Sequence, residues 1–195
     1  MKSNFFDTNS YFIDEKVNYF KFENCYQIFN EKGENIGTIA QKIPTLHKIL
    51  SLIINKGIFP FHLEIRNSND ELQASISRGW TFLMSKIVIC DQNGIQTGTI
   101  QQKFKLFTPT YKIFNNSDVQ IAEITGDFRA WDFVIKDINS IQIGTISKKW
   151  AGVMKELFTT ADKYNVSIDS SYSNNENKIN ILASAITIDM VMKSR

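Results

Sequence analysis

The sequence predicts an all-β protein, a closed antiparallel barrel of about twelve strands built around a buried C-terminal helix. Two observations predict this fold. The 195 residues contain five copies of a strand–turn–strand unit, which is the pattern of consecutive β-hairpins. The last part of the chain has helical character but is apolar on nearly all sides, so protein must surround it. We expect a single domain over residues 1–195.

The five hairpins are recognised by a short motif in their second strand. Its clearest copies lie at residues 36–42, 97–103 and 143–149, and two weaker copies carry Ala74 and Ala122 in place of the glycine. A very small residue at one fixed place in each strand predicts a β-bulge or a close approach of a neighbouring backbone.

A polar turn separates the two strands of each hairpin. Asn, Asp and Gly suit these turns because they tolerate positive φ, whereas the flanking Ile, Val, Phe and Tyr fit a pleated sheet. The turns are residues 30–33, 67–70, 91–94, 115–118 and 137–140. Five hairpins supply ten strands, and the apolar runs 11–13 and 164–168 complete twelve. A sheet of this size avoids free edges by closing, and the resulting barrel is too wide to be filled by its own side chains.

Two segments have helical periodicity. Residues 45–56 form an amphipathic helix inserted between the first two hairpins, and residues 179–192 are apolar around most of their circumference. At about 1.5 Å per residue the second segment spans only ~21 Å, against ~30 Å for the hydrocarbon core of a bilayer, so we interpret it as the filling of the barrel. Its predicted buried residues are Ile181, Leu182, Ala185, Ile188 and Asp189. A buried Asp189 needs a partner, and Arg129 is a candidate.

Composition and charge exclude several classes of protein. Lys and Arg number 22 against 20 Asp and Glu, without a basic tail, so we expect no nucleic-acid partner. Cys25, Cys90, His47 and His62 stand at no metal-ligand spacing, which is typical of core or strand-edge residues in a reducing compartment. The N-terminal stretch lacks the apolar region of a secretory signal, so we expect a cytoplasmic location.

Enzymatic function is not indicated. The sequence contains no Gly-x-Ser-x-Gly motif, no Gly-rich phosphate loop and no nucleotide-binding fingerprint, which favours a protein that is not an enzyme. A hydrolase built on Cys25 or Cys90 with one of the two histidines stays open, because such triads assemble across a fold rather than along a sequence.

One stretch is specific enough to indicate a family. Residues 143–152 read IGTISKKWAG, and residues 158–162 read FTTAD. Together with Trp131-Asp132-Phe133, and with Ile188-Asp189 inside the apolar segment, this stretch resembles the phospholipid scramblase family. That family shares a barrel-around-a-helix fold with tubby C-terminal domains and with LURP-one-related proteins. The similarity extends from about residue 11 to residue 192.

The resemblance implies a function at membranes. It implies a phospholipid membrane surface as the partner, a peripheral position at the inner face of the membrane, and ATP-independent movement of phospholipids in both directions across the bilayer. The rival interpretation is a soluble module of the LURP-one-related or tubby-like kind, which recognises a phosphoinositide or a protein partner and moves no lipid. The lipidated cysteine cluster of scramblases matches residues 77–86, which contain no cysteine here, so attachment would depend on the barrel surface or its helix.

The resemblance also implies a calcium segment, which matches residues 160–171. Its first and last acids are replaced here by Thr160 and Ser171, and the candidate ligands that remain are Asp162, Ser167 and Asp169. A calcium site takes several oxygen ligands and typically ends on a bidentate acid. The alternative is an exposed strand with solvated charges, and the sequence implies no other cofactor.

Candidate lipid-binding residues form two groups. The inserted helix has an apolar face that could enter the bilayer beside its lysines, or that could cap one end of the barrel instead. Its residues are Leu46, Ile49, Leu50, Ile53, Lys48 and Lys56. The second group follows the repeated motif and could gather as a phosphate-binding basic rim, or could serve only to deter edge-to-edge aggregation. Its residues are Lys42, Lys103, Lys148 and Lys149.

Several aromatic side chains could stack on a ligand. They are Trp80, Trp131, Trp150, Phe128 and Phe133. Aromatic residues at alternate strand positions are more often part of a core, which is the interpretation we favour.

Overall fold

The computed structural model describes residues 5–16, 25–41, 60–80, 86–103, 110–127, 129–149, 163–172 and 175–193. Twelve strands and one helix lie in this part of the chain. The strands are β1 (Ser10–Lys16), β2 (Cys25–Phe29), β3 (Asn35–Gln41), β4 (Phe61–Asn67), β5 (Leu72–Arg78), β6 (Lys86–Asp91), β7 (Gln96–Lys103), β8 (Thr110–Asn115), β9 (Gln120–Asp127), β10 (Asp132–Asp137), β11 (Gln142–Ser147) and β12 (Lys163–Ile168). The helix, α1, is Asn175–Lys193.

The sheet closes on itself. Each strand pairs antiparallel with its neighbours in the chain, and β1 also pairs with β12. At this closure Ile13 lies opposite Ile28 of β2 on one side and opposite Tyr164 of β12 on the other. Because each of these strands has two hydrogen-bonded neighbours, none of the twelve presents a free edge. The predicted closed barrel of twelve strands is therefore confirmed.

Each of the five predicted hairpins contains a β-bulge just after its turn. In the first hairpin Ile28 pairs with Gly37 but Phe29 pairs with Asn35, so Ile36 is the extra residue. The other hairpins repeat this shift of register with a small residue in the place of Gly37; these are Ala74, Gly98, Ala122 and Gly144. The repeated small residue does mark a bulge, as its fixed position in the sequence motif predicts.

The five turns share one pattern of hydrogen bonds. In the first turn Asn30 Oδ1 accepts from the backbone N–H groups of Lys32 and Glu34, both at 3.0 Å. The same pair of bonds is made in the other turns by Asn67, Asp91, Asn115 and Asp137. All five turns, residues 30–34, 67–71, 91–95, 115–119 and 137–141, lie at one end of the barrel, which we call the turn end.

Helix α1 fills the barrel. Every residue from 178 to 191 is buried, and the helix packs against β5, β6, β7, β8 and β12. The five residues predicted to be buried, Ile181, Leu182, Ala185, Ile188 and Asp189, are each at most 1% exposed. The predicted segment 179–192 lies within α1, which begins four residues earlier, at Asn175. The inserted helix predicted at residues 45–56 lies outside the described residues.

Polar side chains of α1 bond to the barrel wall. Asn180 Oδ1 accepts from Thr97 Oγ1 at 2.9 Å, and Asn180 Nδ2 donates to the Thr97 carbonyl oxygen at 3.2 Å. Ser184 Oγ donates to the carbonyl oxygen of Asn180 at 2.6 Å. Because a buried polar group is costly unless it is hydrogen-bonded, the two Asn180–Thr97 bonds favour one depth of the helix relative to β7, whereas the Ser184 bond lies within the helix.

The buried carboxylate of Asp189 accepts a hydrogen bond from a tyrosine of the wall. Tyr26 Oη donates to Asp189 Oδ2 at 2.9 Å, and both residues are at most 1% exposed. Arg129, the partner considered from the sequence, is exposed, and its backbone N–H donates to Asp127 Oδ1 at 2.8 Å. The hypothesis of an Arg129–Asp189 pair is therefore replaced by a phenol–carboxylate contact.

Candidate functional site

The described residues of the predicted basic rim lie at one end of the barrel. Lys103 ends β7, and Lys148 and Lys149 directly follow β11. Both strands begin at turns of the turn end, so both finish at the opposite end, which we call the basic end. Three strands separate β7 from β11, which places the two groups roughly 20 Å apart along the sheet. Lys42 lies outside the described residues.

The lysines of the basic end keep their charge accessible. Lys149 Nζ lies 3.3 Å from Asp132 Oδ2, and both side chains are exposed. Lys148 Nζ lies 4.8 Å from the centroid of the Trp131 ring, a cation–π contact. An exposed ion pair contributes about 0–1 kcal/mol and a cation–π contact at an exposed site about 0.5–1 kcal/mol, so neither contact holds a lysine strongly enough to prevent it from meeting a phosphate.

The structure adds cations that the sequence pattern did not indicate. Arg78, Arg129 and Lys163 also lie at the basic end, since Arg78 ends β5, Lys163 begins β12 and Arg129 lies between β9 and β10. Arg78 is 6% exposed with its guanidinium 4.8 Å from the centroid of the Phe61 ring, and burial lowers its pKa. The sequence signal for these cations is their position, because each lies at or just beyond the end of a strand on the side away from the turns.

Aromatic residues of the basic end mostly belong to the core. The Trp131 ring packs 5.3 Å from that of Tyr164 and 5.9 Å from that of Phe133, between centroids. Phe133 and Tyr164 are at most 1% exposed, so they are not stacking surfaces for a ligand. Trp80 is 52% exposed, so its ring is more accessible than that of the half-buried Trp131. Trp150 and Phe128 lie outside the described residues.

The calcium candidates occupy a strand and the residue beyond it. Ser167 lies in β12 opposite Thr145 and Ser10, and Asp169 follows the strand at the turn end. Asp169 Oδ1 accepts from Ser171 N at 2.8 Å and from Ser171 Oγ at 2.7 Å, and these hydrogen bonds lower the pKa of Asp169. Within the described ranges, no three His, Cys, Asp or Glu residues cluster closely enough to hold a metal ion. Asp162 lies outside those ranges.

The cysteine–histidine alternative gains no support from the described residues. Burial raises the pKa of the Cys90 thiol, which is the opposite of what an activated thiolate nucleophile requires. His62 lies on β4 opposite Ser77, with Nδ1 2.8 Å from Ser77 Oγ. His47 lies outside the described residues, as do the candidate lipid-facing residues Leu46, Lys48, Ile49, Leu50, Ile53 and Lys56.

Among the described residues, the turn end is rich in acids, whereas the basic end carries its lysines and arginines together with Asp127 and Asp132. The five turns, together with residues 5–9 and 169–172 beside them, contain nine Asp and Glu residues and one Lys. Three of the turns also expose an aliphatic side chain at the same position; these are Ile95, Val119 and Ile141. Aligning the turns on their Asn or Asp residue reveals this position in the sequence, whereas the strand motif does not include it.

No helix within the described ranges is both long enough and apolar enough to cross a bilayer. This finding includes α1. The apolar side chains of α1 are buried and pack against the barrel wall.

The chain is similar to scramblases over nearly its whole length. The family model described as Scramblase matches residues 14–195. A phospholipid scramblase family protein of Schizosaccharomyces pombe is 25% identical over 182 residues, covering 86% of this chain and 47% of the relative. The human phospholipid scramblase family member 5 is 34% identical over 82 residues, covering 38% of this chain and 30% of the relative.

A third relative carries a different name. The altered inheritance rate of mitochondria protein 25 of Saccharomyces cerevisiae is 21% identical over 175 residues, covering 77% of this chain and 54% of the relative. The chain thus spans about half the length, or less, of the curated relatives it matches. No solved structure matches the chain.

Proposed function

The chain belongs to the scramblase family, and we propose that it binds phospholipid membranes with its basic end and moves phospholipids between the two leaflets without ATP. The membrane would be met from the cytoplasmic side, where anionic lipids attract basic residues. In this arrangement the protein is peripheral, and the turn end points away from the bilayer.

The observation that carries this proposal is the separation of charge between the two ends. Lys103, Lys148 and Lys149 lie at one end, while the five turns and the adjacent residues 5–9 and 169–172 contain nine Asp and Glu residues and one Lys. Arg66 and Lys178 also bond to residues of the turn end, where the acids still outnumber the bases. A basic residue near an anionic bilayer contributes about 1 kcal/mol, so three lysines acting together would strengthen binding roughly 100-fold. The excess of carboxylates at the turn end makes contact of that end with anionic lipid unfavourable. The protein should therefore bind with its basic end toward the membrane.

Phospholipid movement by this fold would take place outside the barrel. The interior is occupied by α1, whose residues from 178 to 191 are buried. A polar headgroup therefore has no route along the barrel axis, and a route along the outer surface or through a perturbed bilayer is the one we propose. The occupied interior also favours a second candidate function, a lipid-binding module that recognises anionic headgroups, such as phosphoinositides, and moves no lipid.

Membrane binding is tested by flotation with vesicles of phosphatidylserine and phosphatidylcholine. We expect the full chain to float with the mixed vesicles, and the variant Lys103→Gln/Lys149→Gln to bind them roughly ten- to thirty-fold more weakly at low salt. Lys148 is kept because it packs on Trp131. The matched control removes two exposed lysines at or near the turn end, Lys32→Gln/Lys136→Gln, and should bind as the unchanged protein does. Equal losses in both variants would refute an oriented basic end.

Lipid movement is tested separately. In vesicles with a fluorescent phospholipid in both leaflets, dithionite bleaches only the outer label unless lipids exchange. We expect added protein to increase the bleached fraction without ATP. Binding in the flotation assay with no increase in bleaching would instead support the lipid-binding module.

A further inference from the structure

The turn end exposes aliphatic side chains on three consecutive hairpins. Ile95, Val119 and Ile141 are 62%, 55% and 60% exposed, and Ile138 of the fifth turn is 64% exposed. Single exposed aliphatic residues are ordinary on a protein surface, whereas a cluster of them indicates an interaction site. Ile95, Val119 and Ile141 share one position, the fifth residue of their turns. Because the hairpins repeat, this shared position brings the three side chains to the same end of the barrel.

Turn chemistry does not require an apolar residue at this position. In the first two turns the equivalent residues are Glu34 and Glu71, whose carboxylates accept hydrogen bonds of 2.7 Å from Asn30 and Asn67. The backbone bond that this position makes to the turn is the same in all five turns. The aliphatic residues are thus compatible with the fold but not needed for it.

The three aliphatic positions lie next to one another around the rim. They belong to the hairpins β6–β7, β8–β9 and β10–β11, which are consecutive in the barrel. Neighbouring turns are two strand spacings apart, roughly 10 Å, so the three side chains span roughly 20 Å. That length matches about four turns of a helix, or six residues of an extended segment.

Carboxylates outnumber cations beside this apolar arc. Asp91 and Asp137 belong to two of the three turns, and Asp118 of the third forms an exposed ion pair of 3.7 Å with Lys86, the first residue of β6. Lys136, just before the fifth turn, is the exposed cation next to Asp137 in the chain. The rest of the turn end is also acidic. Because acids outnumber bases at the turn end, a partner with positive charges beside apolar side chains complements this surface better than an anionic bilayer does.

We propose that Ile95, Val119 and Ile141 form a docking site for a protein segment that presents apolar side chains flanked by Lys or Arg. The site goes beyond the proposed membrane function and does not depend on it. If the basic end binds the membrane, the docking site faces away from the bilayer, so both surfaces can be occupied at once.

The test measures the affinity of a synthetic 14-residue amphipathic peptide of Leu and Lys for the full chain, by fluorescence anisotropy. The variant Ile95→Ser/Val119→Ser/Ile141→Ser should bind it at least tenfold more weakly. Its melting temperature should not change, because the three side chains are exposed. The control Trp80→Ser removes an exposed apolar residue at the basic end and should leave peptide binding unchanged.

A second variant examines charge without disturbing the turns. Asn115 makes the hydrogen bonds that Asp91 and Asp137 make, so Asp91→Asn/Asp137→Asn should preserve the turn structure. We expect it to bind the Leu/Lys peptide several-fold more weakly at low salt, with a smaller loss of affinity as salt is added.

Four results would overturn the docking site. They are unchanged peptide binding by the serine variant, equal binding of a peptide with Ser in place of Leu, flotation with phosphatidylcholine vesicles that the serine variant abolishes, and self-association that the serine variant abolishes. The last two would identify a membrane or a second copy as the occupant. Failure of the proposed membrane function gives a different result, loss of binding to phosphatidylserine vesicles with peptide binding intact.

Discussion

Inside the barrel, the Tyr26 hydroxyl donates a hydrogen bond to the Asp189 carboxylate, 2.9 Å away. The same hydroxyl lies 3.4 Å from Met190 Sδ. A buried carboxylate needs partners of this kind, because burying a charge or an unpaired polar group is costly. Since Tyr26 belongs to β2 and Asp189 to α1, the bond connects the first part of the barrel to the helix that fills it.

Replacing Tyr26 by phenylalanine removes the hydroxyl and preserves the ring. We expect Tyr26→Phe to lower the free energy of unfolding by about 1–3 kcal/mol, because it takes a donor from the buried Asp189 carboxylate. Urea denaturation measures the loss. In the background Asp189→Leu the same change should cost less, since the acceptor is already gone; strictly additive effects would show that the two groups are not coupled.

The burial of Asp189 could be predicted from the sequence, but its tyrosine partner could not. Burial follows from the apolar circumference of the segment 179–192, which is a local property. The partner depends on the register of β2 in the barrel and on the depth of α1, and the two residues are 163 positions apart in the chain. Charge alone suggests Arg129 as a partner, and charge does not place a residue inside the barrel.

At the turn end, Ser171 stabilises the ionised form of Asp169. Its backbone N–H and its hydroxyl both donate to Asp169 Oδ1, and the hydroxyl contributes the larger part of the fall in pKa. A carboxyl with a lowered pKa in the folded state favours folding above its ordinary pKa, and that contribution disappears as the pH falls through the folded value.

Removing the Ser171 hydroxyl should therefore raise the pKa of Asp169 toward its ordinary value. NMR titration of the Asp169 carboxyl in Ser171→Ala measures the shift, and Ser170→Ala serves as the control. The backbone hydrogen bond remains in both variants, so part of the lowering should persist. An identical Asp169 pKa in the two variants would contradict the role of the hydroxyl.

At the scale of elements, the small residue of each hairpin repeat determines how closely the backbones approach. A Cβ added at Gly98 would lie 2.7 Å from Asn180 Nδ2, and closer still to the carbonyl oxygen of Phe114. Added Cβ atoms at Gly37 and Gly144 would likewise collide with the carbonyl oxygens of Arg66 and Ser167. The sequence motif predicted this approach because the repeat places glycine, or alanine in two hairpins, at one position of the second strand.

A methyl group at Gly98 should consequently be destabilising. We expect Gly98→Ala to cost about 1–3 kcal/mol of unfolding free energy, as overpacking of a well-packed interior does. The control is Gly79→Ala, where an added Cβ meets nothing within 4 Å and the change should stay within about 0.5 kcal/mol. Thermal and urea denaturation compare the two variants, and similar stabilities would contradict the close approach at Gly98.

For the whole molecule, the closed barrel was predictable and the polarity of its ends was not. The five repeats give ten strands, the apolar runs 11–13 and 164–168 add two, and the cost of free edges predicts closure. The charge of each end depends on which residues the strand directions bring together. The turn end is acidic because each of the five turns carries at least one Asp or Glu and the strand directions bring all five to one end. The motif lysines stand at equivalent strand positions, which indicated the basic end. The strand motif does not include the turns, so it did not indicate that the turn end carries acids and exposed aliphatic side chains.

The orientation of the barrel on a membrane tests the account most directly. A nitroxide is attached at Gln101→Cys, near the basic end of β7, or at Ser117→Cys, in the fourth turn, after Cys25 and Cys90 are replaced by serine. Electron paramagnetic resonance then measures the depth of each label in vesicles of phosphatidylserine and phosphatidylcholine. We predict that the label at residue 101 contacts the headgroup region while the label at residue 117 stays in water. A bound protein with the label at residue 117 in the bilayer, or with both labels in water, would contradict the account.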